Sequence, residues 1–156
     1  MSTTRRPGVV IDRPDLTILD TRQMEWEEFP GLAGARIKVL SRDEDGEPSV
    51  FLVWLPPGRL ISDLPHRHYH RTVREYGFTL AGELPHWEYE NAEQVEGDLV
   101  VFREGYYMDR APGSLHGLEP GPTSPVGCVV LMWRTGRGTW VDEPAFHEET
   151  VEVPYP

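Results

Sequence analysis

The stretch Pro65-His66-Arg67-His68-Tyr69-His70 places three histidines at alternate positions. Successive side chains on a strand point to opposite faces, so an extended segment would gather His66, His68 and His70 on one face, with Arg67 and Tyr69 on the other. Neutral imidazole nitrogen is a good ligand for Fe, Zn, Ni, Cu and Mn, and a chelating pair on a rigid strand loses little entropy on binding. A lone His-x-His reads equally well as a polar surface loop. Here Glu75 follows the cluster, and His116 comes at the end of Pro112-Gly113-Ser114-Leu115-His116, which favours a divalent metal site. His86, beside Trp87, reads as a structural or surface histidine, and His147, in an acidic tail, as exposed.

The elements that must position these residues are short strands. Runs with strand character cover residues 37–40, 49–55, 73–80, 86–89, 99–102 and 127–133, bounded by turn residues such as Asp45-Gly46, Pro56-Pro57-Gly58, Ala81-Gly82, Glu96-Gly97-Asp98 and Pro112-Gly113. No long segment has a 3.6-residue apolar period, and the spacing belongs to a sandwich or barrel. Residues 26–29 are expected to form a helical turn. A length of 156 residues, 38% apolar, suits one domain with one core, and 15 Gly with 15 Pro favour turns over helices. The expected layout is a single domain over 1–156, with a core barrel at about 35–135, an N-terminal arm at 1–15 and an extended C-terminal tail at 139–156.

From residue 50 to residue 133 the chain resembles the cupin superfamily, all-β jelly-roll barrels. The first cupin motif runs Gly, His-x-His, three or four residues, Glu, six residues, Gly; the second ends in Pro-x-Gly-x-x-His. His68-x-His70, Glu75 and Gly82 match the first spacing, while Pro65-His66-Arg67-His68 is closer to the usual opening and His66 lies nearer the family's distance from Gly58. The preferred ligand pair is His66 and His68, with a two-residue insertion before Glu75 and His70 as a pocket residue; His68 and His70 form the alternative register. His116 is the next ligand, although the stretch between Gly97 and His116 is longer than the motif prescribes and Pro112 and Gly113 are adjacent.

Glu75 has two readings. Alternation puts Glu75, Gly77 and Thr79 on one face and Tyr76, Phe78 and Leu80 on the other. Either Glu75 is a ligand and the apolar trio packs outside, or Glu75 faces solvent and histidines alone hold the metal.

Within the cupins, His66-Arg67-His68, Gly77-Phe78-Thr79-Leu80-Ala81-Gly82 and Trp87-Glu88-Tyr89-Glu90 are similar to the branch of small cupins that includes 2,4′-dihydroxyacetophenone dioxygenase and the cupin part of ChrR-type anti-sigma factors. That resemblance implies a mononuclear non-haem site, most simply Fe(II), with Zn, Ni, Mn or Cu as alternatives. It also implies C–C cleavage by O2 in a small oxygenated aromatic or diketone substrate. His70 and Glu75 are then candidate catalytic residues, and Arg74, Tyr106 and Trp133 candidate substrate-binding residues, with Tyr107, Met108 and Arg103 as further pocket candidates. A metal-dependent isomerase, lyase or cyclase working without O2, and a non-catalytic small-molecule-binding barrel, are the alternatives.

Charge and composition narrow the partners. Fifteen basic residues against 26 acidic ones give a net charge of −11, which repels phosphate backbones and anionic lipid, so neither nucleic acid nor membrane is expected. No apolar run approaches the roughly 20 residues of a membrane span, and no signal-type segment opens the chain; a cytoplasmic protein is expected. Cys128, the one cysteine, reads as a buried strand residue. A homodimer is the expected assembly, since small cupins pair through exposed strands.

Overall fold

The computed structural model describes residues 7–29, 32–58, 61–62, 69–91, 93–117 and 124–136. Twelve strands and one 3-10 turn, at Thr21–Gln23, account for the regular structure among them; no helix there is long and apolar enough to cross a membrane. Val9–Arg13 (β1) and Leu16–Leu19 (β2) form an antiparallel hairpin within and just beyond the expected arm. Asp20 caps the turn that follows, and hydrogen bonds from Arg22 hold its carboxyl down to about 2.

Residues 26–29 are not a helical turn. Glu27–Glu28 (β3) is extended and pairs with Arg36–Arg42 (β5). Pairing with an existing sheet edge satisfies the backbone of these two glutamates, and it delivers Phe29 to the interior, where it is buried. Leu32–Ala33 (β4) pairs with Ile61–Ser62 (β7).

The main sheet is built around Pro48–Leu55 (β6), Arg74–Tyr89 (β8), Tyr107–Arg110 (β10) and Cys128–Thr135 (β12), in the order β10-β8-β12-β6-β5-β3. Alternation is visible in β6, where Phe51, Val53 and Leu55 are buried and their neighbours only partly so. The interior packs these residues with Phe29, Leu32, Ala35, Ile37, Val39, Cys128 and Val130.

Two expected strands, 73–80 and 86–89, are one 16-residue strand. Ala81-Gly82 is therefore not a chain reversal. Val129 lies opposite Ala81 and Val130 opposite Thr79, so Leu80 is an extra residue, a bulge that bends β8. Gly82 follows at φ +75°, and a Cβ there would lie 2.0 Å from the Gly127 carbonyl oxygen, a place only glycine fits. Past the bend, β8 leaves β10 and β12 and pairs instead with Asp98–Arg103 (β9) and Leu115–Gly117 (β11). One strand thus serves both walls of the barrel.

Candidate metal centre and cavity

Before the bulge, β8 turns Glu75, Gly77 and Thr79 inward, and Phe78 and Leu80 outward to solvent. The bulge then reverses the parity: Leu84 and His86 line the interior after it. Of the two readings of Glu75, the structure places the carboxylate inside, at 2% exposure.

His70 arrives from the segment before β8. Its carbonyl accepts from Gly113 N–H at 2.8 Å, which ties it to the Pro112-Gly113 turn, where Gly113 has φ +87°. That turn feeds β11, on which His116 sits opposite Glu88. His70 Nε2 is 3.6 Å from Glu75 Oε1, and His116 Nε2 is 3.4 Å from Glu75 Oε2. One ligand atom from each of the three residues lies within 4.8 Å of the others.

The donor set fits a first-row divalent ion. Ligands about 2.0–2.2 Å from one ion stand roughly 3–4 Å apart, close to what is seen. Glu75 Oε2 is buried and accepts no hydrogen bond among the described residues; the Arg110 guanidinium, 3.6 Å away, offsets part of its charge but not its missing hydrogen bonds, a cost that a bound cation would remove. His116 Nδ1 lies 2.8 Å from the Ser114 carbonyl. A carbonyl only accepts, so Nδ1 carries the proton and Nε2 presents its lone pair to Glu75, the arrangement metal-binding histidines use. Burial first, then the charges of Arg110 and Arg134, push His70 down to about 4, which keeps its imidazole neutral.

A second group stands beside the first. Arg110, on β10, donates from Nε to Glu88 Oε2 at 3.1 Å and from Nη2 to Glu88 Oε1. Its Nη2 is also 3.1 Å from His86 Nδ1, and its Nη1 is 3.6 Å from Glu75 Oε2. Burial pushes His86 below its ordinary value, with the Arg110 charge acting the same way. For Glu88, burial acts upward but the hydrogen bonds from His86 and Arg110 prevail, and the carboxyl lies below its ordinary range.

His70, Glu75, His86, Arg110 and His116 line a cavity of about 130 Å3, with Glu88 behind Arg110. Apart from Thr79 and Tyr106 the rest of its wall is apolar, including Phe29, Leu32, Leu55, Leu84, Phe102 and Met132. Gly77 makes room for it: a Cβ there would come within 3.1 Å of both Met108 Cε and Met132 Sδ.

Of the residues singled out in the sequence, the structure brings together His70, Glu75 and His116, and it sets Tyr106 and Met108 in the cavity wall. Four others stand elsewhere. Arg74 clamps Asp109 through two hydrogen bonds of 2.8 Å on the outer face. Trp133 stacks on Tyr76 at 5.3 Å, also outside, and Tyr107 is exposed. Arg103 pairs with Glu83 at 3.7 Å, largely exposed. His66, His68 and the expected tail, with His147, lie outside the described residues. Arg110, His86 and Glu88 were not expected at the site; the signal for the last two was a glycine inside a strand pattern, which marks a bulge and a change of face.

No family model matches the chain, and no curated protein does. Among solved structures, a candidate ethanolamine utilization protein Q from Salmonella typhimurium is similar, at 17% identity and a TM-score of 0.54, over 84% of this chain and 98% of that one. KdgF from a Halomonas species is similar at 14% identity and a TM-score of 0.46, over 76% of this chain and 94% of that one. The strand order and the first of these likenesses give the fold: an all-β jelly-roll barrel of the cupin type. Its interior holds a His/Glu/His cluster able to bind a metal ion.

Proposed function

We propose that the protein is a mononuclear non-haem iron dioxygenase that cleaves a C–C bond in a small oxygenated aromatic or diketone substrate. The observation that carries a metal-dependent reading is Glu75, an inward carboxylate with an unbonded Oε2 between two imidazoles, on the wall of an apolar cavity. The iron and the oxygen chemistry rest on the sequence resemblance. A divalent ion bound there would supply Lewis acidity toward a substrate oxygen and, as iron(II), the electrons that engage O2.

The chain's own residues do the rest. Phe29, Leu32, Leu55 and Leu84 keep water from the reacting centre and hold the apolar part of the substrate. Tyr106 stands in the wall and is exposed to solvent as well. The Ser114 carbonyl keeps His116 in the ligating tautomer. Both atoms of O2 end in the products, one at each carbon of the severed bond, so no further reductant is required.

The reading includes a homodimer. Its support is β10, which has no second strand neighbour among the described residues, and the exposed Tyr107, Phe78 and Leu80 beside it.

Anaerobic purification with Fe(II), elemental analysis and O2 uptake on a panel of hydroxyacetophenones and β-diketones test the proposal. About one iron per chain with uptake on at least one member is expected. Zinc with full turnover in the absence of O2 would instead make the protein an isomerase, lyase or cyclase. An unaltered bound small molecule, with no turnover of any candidate, would make it a binding barrel.

A further inference from the structure

Arg110 has five N–H donors. Nε and Nη2 are both committed to the Glu88 carboxylate, in a fork that fixes the plane of the guanidinium. Nη1 makes no hydrogen bond among the described residues and lies 3.6 Å from Glu75 Oε2. The side chain is 10% exposed and lines the cavity. A rigid, mostly desolvated guanidinium with one edge open beside a metal-binding carboxylate is built to receive an anionic oxygen.

The charge balance points the same way. Glu75, Glu88 and Arg110 together carry one net negative charge with the histidines neutral. A divalent ion in the cluster turns this into one net positive charge in an apolar cavity, which a monoanion neutralises.

We propose that Arg110 is a substrate anchor, and that the substrate is a small oxo- or hydroxy-carboxylic acid. Its carboxylate meets Nη1 of Arg110, its oxo or hydroxy oxygen faces the His70–Glu75–His116 cluster, and its apolar remainder fills the Phe29, Leu32 and Leu55 wall. A cavity of about 130 Å3 admits a body near the size of a benzene ring. The charge argument rests on the metal reading above, whereas the open donor edge does not.

The test compares binding of phenylglyoxylate with that of 1-phenyl-1,2-propanedione, a neutral compound of nearly the same shape, by calorimetry on metal-loaded and metal-depleted protein under anaerobic conditions. The loaded protein should prefer the acid by about tenfold or more, the usual range for a charge-assisted hydrogen bond. The paired variant Arg110→Gln with Glu88→Gln, which retains neutral hydrogen-bonding groups, should bind metal as before and discriminate less than about twofold. Arg110→Lys, which keeps the charge but not the fork, should fall between, and it decides the matter if the paired variant does not fold. A wild-type protein that prefers the diketone in both forms, or variants that discriminate as the wild type does, would overturn the anchor. Failure of the wild type to bind metal, with the acid still preferred, would overturn the metal reading and leave the anchor standing.

Discussion

Asp109 and Arg110 are neighbours on one short strand, and alternation gives them opposite tasks. Asp109 points outward and accepts the two hydrogen bonds of Arg74, which hold its carboxyl below the usual range. An exposed pair of this kind contributes little to stability, because water and salt screen it. Arg110 points inward and binds Glu88, where exclusion of water makes each contact count. Cys128 shows the same dependence on burial, which pushes its thiol up from the ordinary 9.0 to about 12. The folded state keeps a proton that the unfolded chain releases between about 9 and 12, so this thiol makes stability fall as pH rises through that window. Alkylation of the native protein by iodoacetamide should stay slow and nearly flat from pH 7 to 10, whereas in urea it should climb about tenfold per pH unit toward 9. A native profile that follows the unfolded one would show that Cys128 is not held in the core.

At the scale of the element, β8 decides the site, because it carries Glu75 before its bulge and His86 and Glu88 after it. Gly82→Ala puts a methyl group against the Gly127 carbonyl at a positive φ. A loss of at least about 2 kcal/mol in denaturant unfolding is expected, together with weaker metal retention because the two halves of the strand are re-aimed. Unchanged stability would mean that the bend does not depend on this close approach. The same bend explains what could be read from the sequence. His116 was legible as a candidate because motif spacing is one-dimensional, and the barrel because turn residues recur at strand length. Glu75 was ambiguous because inside and outside cannot be told from alternation alone when both faces carry polar and apolar residues. Counting alternate residues from Glu75 puts His86 on the wrong face, since one extra residue at Leu80 inverts everything beyond it. Arg110 was hidden because residues 107–110 lie in what read as a long insertion and, among the described residues, form an edge strand paired with a partner distant in sequence.

For the whole molecule, the cavity and the core are two parts of one interior: Phe29, Leu32, Val53, Leu55 and Val130 belong to both. Phe51, 1% exposed, belongs to the core alone. Phe51→Ala should therefore cost about 3–5 kcal/mol in unfolding free energy while leaving metal stoichiometry near that of the wild type at low temperature, measured by urea titration and elemental analysis. Equal losses of metal and stability at low temperature would show that the core and the site cannot be separated. The position of β12 has a consequence for timing. Although it is the last described strand, it lies in the middle of the main sheet, between β6 and β8, with Trp133 opposite both Val50 and Tyr76. A ribosome must release residues through 135 before that gap can be filled, and Val130 and Met132, two pieces of the cavity wall, arrive with it. Until then β6 and β8 each keep one unpaired edge, so the emerging chain passes through a sticky interval, and the pocket is completed only after residue 135 has emerged.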